Sequence, residues 1–252
     1  MKLCTDEEIT IIALCEAPPD FSFQSNCGFH LVEHIDDRHS HGDIQVIVRN
    51  EITTRYYYKE DSKFCLLRIE PVGINLMVLH LSSRLPPNSS EMQNADIGRA
   101  LSAISRIEEK YGDKRTIIVG DFNMNPFDEK MMEFCGFNAK LFKNQIKQAA
   151  RTIGGEKKDV YYNPMMLVYH DAKSSEEPRG TYFYDQVPPQ WHCFDQALIK
   201  QHIVAAFDQD SLRILGEIGD EALMSNNKPN KKISDHLPIQ FKLFFEGGPK
   251  HV

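Results

Sequence analysis

Five β-rich runs crowd into residues 9–82, each bounded by proline, glycine, asparagine or aspartate: ITIIALCEA (9–17), DIQVIVRN (43–50), TTRYYYKE (53–60), KFCLLRIEP (63–71) and INLMVLHLS (74–82). β-Branched and aromatic residues suit a pleated, half-buried surface, so this close spacing predicts antiparallel hairpins and meanders. Then the period changes. Ile97, Leu101, Ile104 and Ile107 recur at helical spacing within 89–112, with Ser89 or Ser90 to cap the start and Gly112 to stop the end, which predicts one long helix. The strand RTIIVGDFNMNP (115–126) follows. A short helix near 127–135, a further helix near 139–150, irregular chain to about 192, a strand at CFDQALIK (193–200) and a closing strand at SDHLPIQFKLFF (234–245) complete the expected order. No internal repeat or low-complexity linker interrupts it. A chain of 252 residues, 41% hydrophobic and 26% charged, can bury a sizeable core as one domain spanning 1–252.

The polar residues on these strands fall at their ends. Side chains alternate along a strand, so Asp121 and Asn123 face one side while Phe122 faces the other. Glu16 follows IIALC, His80 ends LMVL, Asp195 interrupts CF–ALI, and Asp235 with His236 opens the last strand. Five strands thus bring an acid, amide or imidazole to a rim, and strands sharing one edge would make these groups converge. Bunched carboxylates repel and resist desolvation unless they are protonated, paired or bridged by a cation. Oxygen donors without clustered cysteine suit a hard ion, Mg²⁺ or Mn²⁺, which also binds substrate phosphate. Two histidines beside it supply a base and an acid, and an aspartate next to one would fix its tautomer. These residue types together point to phosphoester hydrolysis.

Taken in order, GDFN after a strand, SDH opening the final strand, a Glu ending an early strand, HL ending a middle strand and the Asp195 strand between resemble the DNase I-like endonuclease/exonuclease/phosphatase superfamily. The resemblance runs from about residue 9 to 245. It implies an α/β (α+β) fold, a four-layer α-β-β-α sandwich of two mostly antiparallel sheets packed face to face with helices outside. It also implies a divalent-metal site at one edge. By motif, Glu16 resembles the principal metal ligand, with Asp235 near the metal. Asp121 resembles the group that orients or deprotonates the attacking water or binds metal, and Asn123 the one that hydrogen-bonds the phosphate. His236, oriented by Asp195, resembles the general base or phosphate-polarising imidazole. His80 resembles the group that stabilises or protonates the leaving side. The family begins with a further core strand of N-x-N type that MKLCTDEE does not supply, so the first core strand is expected to be missing, through N-terminal truncation or natural shortness.

This reading favours a nuclease-like phosphodiesterase. The alternatives are a small-molecule or lipid phosphatase of the same family and an impaired pseudoenzyme that binds phospho-ligands. A rival motif is HLVEH (30–34), which matches the HxxEH zinc-peptidase pattern but has barely two turns of chain for the helix that pattern needs. Two-metal phosphatases of the calcineurin type need a DxH strand and an Asn-His-Asp/Glu box that do not occur in order.

Substrate contacts are sought in two places. Lys140, Lys143, Lys147 and Arg151 recur at helical spacing, a stripe that either meets a phosphate backbone through Lys143 or is a solvated face. Trp191, with Tyr182, Phe183 and Tyr184 just before Asp195, either stacks on substrate or packs in a core. A formal charge of −7 argues against a uniformly basic nucleic-acid coat but permits a local groove. Six cysteines without a CxxC pair and no signal-like or membrane-spanning run make a cytoplasmic, membrane-free protein the expectation, with a phosphoester or nucleic-acid substrate and no obligate protein partner.

Overall fold

A computed structural model describes residues 9–18, 23, 28–32, 44–60, 63–83, 89–170 and 177–245. The early runs form β1 (Ile11–Leu14), β2 (Phe29–Leu31), β3 (Gln45–Arg49), β4 (Thr53–Glu60), β5 (Phe64–Glu70) and β6 (Ile74–His80). Helix α1 spans Ser89–Tyr111 and ends where Gly112 adopts a φ of 62°, the left-handed stop that glycine adopts without steric cost. Strand β7 (Thr116–Asp121) and the single-turn helix α2 (Glu129–Met132) follow. Next come β8 (Ala139–Lys140), β9 (Ala150–Ile153), β10 (Glu156–Asp159), β11 (Tyr161–Tyr162), β12 (Tyr182–Tyr184), β13 (Gln190–His192), β14 (Asp195–Lys200) and β15 (Phe207–Ile214). Two small hairpins, β16–β17 (Glu217–Ile218, Glu221–Ala222) and β18–β19 (Met224–Ser225, Lys228–Pro229), precede the final strand β20 (Ile239–Leu243).

One mixed seven-stranded sheet, in the order β4-β5-β6-β7-β14-β11-β8, organises the molecule. Its neighbours are antiparallel except β6–β7 and β11–β8. The parallel pair β6–β7 needs a crossover, and α1 is that crossover. Alternation along the strands then separates two cores. Phe64, Leu66, Met77, Leu79, Ile118 and Leu198 face α1, meeting its buried Ile97, Ala100, Ile104 and Ile107. Cys65, Leu67, Leu76, Val78, Ile117 and Ile199 face the other way, packing against Val46 and Val48 of β3 and against Phe207 and Leu243. This gives a helix–sheet–sheet order, consistent with the expected α/β sandwich.

The opposing layer comes as two pieces, β1-β3-β2 and β15-β20, with no hydrogen-bonded strand joining them among the described residues. Ile12, Phe29 and Ile47 make a third apolar cluster with Leu14 and Leu31. No helix among the described residues is long and apolar enough to cross a membrane.

Three expectations need correction. No helix forms at 139–150: Ala139 pairs in parallel with Tyr161, a 3₁₀ turn covers Lys143–Gln145, and 150–153 enters a hairpin with β10. Its charges have helical spacing, but only Ile146 between 140 and 151 is buried, so no apolar stripe exists to hold a helix against the core. Second, the last strand starts at Ile239, not at Ser234. Asp235 and His236 lie in the turn before it, where Pro238 has no N–H to offer a ladder. Third, the stretch before residue 192 contains four regular pieces among the described residues, β9–β10, β11, a 3₁₀ helix at Pro164–Leu167 and β12–β13.

Candidate active site

Three neighbouring strands deliver a polar row. His80 ends β6, Asp121 ends β7 and Asp195 begins β14, and the pairing sets His80 opposite Asp121 and Asp121 opposite Asp195. Directly opposed residues share a face. Two positions back in those rows, Val78 and Val119 point toward the core between the sheets, so the polar row faces the smaller layer at the rim. From that layer come Glu16, just past β1, and His236, just before β20. Glu16 Oε1 lies 3.4 Å from His80 Nε2, which lies 3.8 Å from Asp121 Oδ2. His236 Nδ1 lies 2.8 Å from Asp195 Oδ2.

The backbone at the rim is specialised. Glu16 has a φ of 55° and Asn123 a φ of 49°. Asparagine tolerates that left-handed region, whereas for glutamate it costs about 1–3 kcal/mol, strain of the kind that concentrates at functional sites. Asn123 closes a turn on Asp121: its N–H donates to Asp121 Oδ1 at 2.7 Å, and its amide donates to Asp121 Oδ2 at 3.0 Å and to the Leu81 carbonyl at 2.9 Å. Gly120 has a φ of 130°, and a Cβ there would overlap the Leu79 carbonyl oxygen. Gly120→Ala is therefore expected to cost about 2–4 kcal/mol through overpacking and backbone strain, read as a lower urea midpoint.

Charge and burial shape the groups. Asp121 is 5% exposed. Burial first, then the Asp195 and Glu16 carboxylates, push it up to about 7 against the opposing pull of His236 and the Asn123 N–H. For His236 burial favours the neutral ring, but contact with Asp195, reinforced by Asp121 and Asp235, outweighs it and holds the imidazole at about 9. At neutral pH His236 is thus a cation clamped to Asp195. Cys15, behind Glu16, is pushed far up by burial, donates its thiol to the Leu79 carbonyl, and is no nucleophile.

Glu16, His80, Asp121, Asn123, Asp195 and His236 therefore come together, with Asp235 exposed beside His236. Two other candidates do not join them. Lys143 is exposed on its 3₁₀ turn, and no hydrogen bond or ion pair among the described residues ties it to the cluster. The basic stripe dissolves with the helix: Lys140 and Arg151 instead both reach Asn138 Oδ1. Trp191 packs T-shaped on Phe183, on the face of the β12–β13 hairpin opposite Tyr182 and His192. Of HLVEH, His30 sits on β2 opposite Val48, on a strand and not a helix, while Glu33 and His34 lie outside the described residues.

Several supporting residues carried no motif. Thr181 is fully buried; its Oγ1 accepts from the N–H of both Phe194 and Asp195 at 3.0 Å, and its carbonyl accepts from the Leu237 N–H at 2.7 Å. It joins the Asp195 strand to the His236 turn. Asn125 holds the other flank, its amide 3.0 Å from His192 Nδ1 and its Oδ1 accepting from the Cys193 N–H. Buried Gln196 ties the loop after β7 to β14 by donating to the Met124 and Cys193 carbonyls. The only local signal for Asn125 was its place in NMNP.

Among the described residues no three His, Cys, Asp or Glu side chains close around one point as a finished metal cage. The donor chemistry still fits a hard divalent cation, because Mg²⁺ takes one or two carboxylates and completes its shell with water and substrate phosphate. Glu16 offers an exposed carboxylate at the rim, beside His80 and Asp121.

No family model and no curated protein matches this sequence. Among solved structures, the chain is similar to the endonuclease domain of TRAS1, a telomere-specific non-LTR retrotransposon, with 14% identity over 95% of this chain and 88% of that one and a TM-score of 0.50. It is also similar to D. rerio TDP2 humanized by 14 mutations, with 14% identity over 91% of this chain and 83% of that one and a TM-score of 0.51. At this identity the likeness is one of fold: the chain shares the α/β sandwich of these structures.

Proposed function

We propose that this chain is a divalent-metal-dependent phosphoester hydrolase, a nuclease-like phosphodiesterase, acting as a single domain in the cytoplasm. The observation that carries the reading is the row His80–Asp121–Asp195 in register across three strands, faced by Glu16 and by His236 on Asp195. Glu16 and Asp235 are the carboxylates that would hold Mg²⁺ or Mn²⁺; when bound, the ion offsets charge on the phosphoryl oxygens.

The remaining steps belong to the chain. Asp121 is an acceptor for the proton of the attacking water, since a carboxylate held near 7 is a stronger base than an ordinary one. The His236 imidazolium, fixed through Nδ1 by Asp195, presents Nε2–H to a phosphoryl oxygen and stabilises charge that grows in the transition state. This favours phosphate polarisation over general-base action for His236. Asn123 aligns Asp121, and His80 serves the leaving oxygen. Purified protein is expected to hydrolyse a DNA, RNA, nucleotide or phosphosugar ester with Mg²⁺ or Mn²⁺ and to lose that activity in EDTA. Full activity in EDTA would overturn the metal assignment, and binding without turnover across the panel would mark a pseudoenzyme.

A further inference from the structure

At the β8 edge of the large sheet, away from the polar row, three cations gather without an acid. Lys140 of β8 donates from Nζ to Asn138 Oδ1 at 3.5 Å and to the Ala139 carbonyl at 3.2 Å. Arg151 of β9 donates from Nη1 to the same Asn138 Oδ1 at 3.3 Å. Asn138 is 1% exposed, and its Nδ2 donates to the Asp159 carbonyl, which fixes its oxygen toward the two cations. Lys158 of β10 stands directly opposite Arg151 in the hairpin, its Nζ 5.3 Å from the centre of the Phe134 ring. Like charges directly opposed destabilise a strand pair, so this register carries a cost. Among the described residues no carboxylate pairs with any of the three. The neighbouring acids are engaged elsewhere, Asp159 with Lys200 and Lys114 and Glu133 with Lys130. Burial, and then the Arg151 charge, hold Lys140 below the usual lysine range.

We infer that Lys140, Arg151 and Lys158 form a binding site for a single phosphate group, separate from the catalytic rim. Register sets the separation: Lys140 pairs with Tyr162, and Tyr162 with Ile199, four residues along β14 from Asp195. At ~3.3 Å per residue along a strand and ~4.8 Å between strands, Lys140 lies roughly 16 Å from Asp195, beyond the reach of a phosphate held at His236. The site therefore stands whether or not the rim cluster hydrolyses an ester. Charge sets the ligand. One dianion accepts from a guanidinium and two ammonium groups at once and turns their repulsion into attraction. Shape narrows it further, because Lys140 and Arg151 converge on one amide oxygen while Lys143 and Lys147 stay exposed elsewhere, an arrangement suited to one compact anion and not to a run of phosphates. The hairpin β9–β10 is a two-stranded sheet of its own, so an anion shared by β8, β9 and β10 would also fasten it against the edge of the large sheet.

The test titrates the full chain with inorganic phosphate by calorimetry, without divalent metal and at constant ionic strength, while amide hydrogen exchange is followed over 150–159. Phosphate is expected to bind and to slow exchange across β9–β10. Arg151→Gln and Lys158→Gln should each weaken binding about tenfold, the loss of one charge-assisted contact, and remove that protection. Lys143→Gln should change neither. Arg151 is exposed and Lys158 half-buried, and each substitution relieves repulsion, so without phosphate both variants should unfold in urea no earlier than wild type. Glycerol 3-phosphate separates the sources: affinity equal to that of inorganic phosphate means that an esterified phosphate is accepted, and lost affinity means that the free ion is the ligand, either of which upholds the site. Unchanged affinity in both glutamine variants, or protection confined to the chain around Asp121 and His236, would overturn it. So would a single-stranded oligonucleotide that binds through these residues far more tightly than phosphate and with a steep salt dependence, since that marks a polyanion track.

Discussion

Asp121→Asn and His236→Ala are each expected to lower kcat by about 10²- to 10⁴-fold, the range found when a positioned acid or base is lost, while urea unfolding stays close to wild type. Asp121→Asn keeps the side chain's size and one acceptor for the Asn123 N–H but removes the proton acceptor, so KM should change much less than kcat. His236→Ala removes the one charged donor that Asp195 aims, and it vacates a half-buried position in a turn, where truncation is tolerated. Asp195→Asn gives the sharper diagnosis. The Asp195 carboxylate keeps the imidazolium charged up to about pH 9, so rate should fall on the alkaline side as the proton is lost. Without that anion the imidazolium is less stable, and the falling limb should move toward acid. An unmoved limb in Asp195→Asn, or wild-type kcat in both other variants, would remove the dyad from the mechanism.

What the sequence disclosed depended on how local each signal was. Strands β1 and β3–β7 and helix α1 were legible because alternation, or a 3.6-residue period, in the apolar residues decides which surface is buried. Asp121 and Asn123 were legible because a β-branched run ending in Gly-Asp-x-Asn leaves the carboxylate at a strand end. Lys140 to Arg151 misled for the complementary reason: charges at helical spacing describe a helix only if an apolar stripe lies opposite, and Ile146 alone does not make one. Thr181 was illegible because its work is done by a hydroxyl and a carbonyl on backbone groups of Phe194, Asp195 and Leu237, partners no local pattern names. The aromatics before Asp195 had core packing as their ordinary reading. Only pairing along β12 and β13 showed that Trp191 faces away from His236 while Tyr182 faces it.

The largest stability effect is expected at the opposite end of the same strand. Lys200 closes β14 with 1% of its side chain exposed, its Nζ 2.6 Å from both oxygens of Glu108 on α1 and 2.6 Å from Asp159 Oδ2. Glu108 also accepts from the Thr116 hydroxyl at 2.5 Å, so the last turn of α1, the start of β7 and the end of β14 meet at one buried charge cluster. Such a cluster gains little over well-packed apolar residues, but losing one partner strands the others without solvent. Lys200→Ala should therefore cost about 3–5 kcal/mol in urea unfolding, since it leaves the Glu108 carboxylate buried against a void. Lys200→Met combined with Glu108→Leu should recover most of that loss, because Asp159 keeps its contact with Lys114 and no buried charge remains unpaired. Any folded fraction of either variant should keep the wild-type pH profile, because β14 places the cluster at its far end from Asp195. If Lys200→Ala alone were as stable as wild type, the cluster would be solvated and its role in locking α1 to the sheet would be lost.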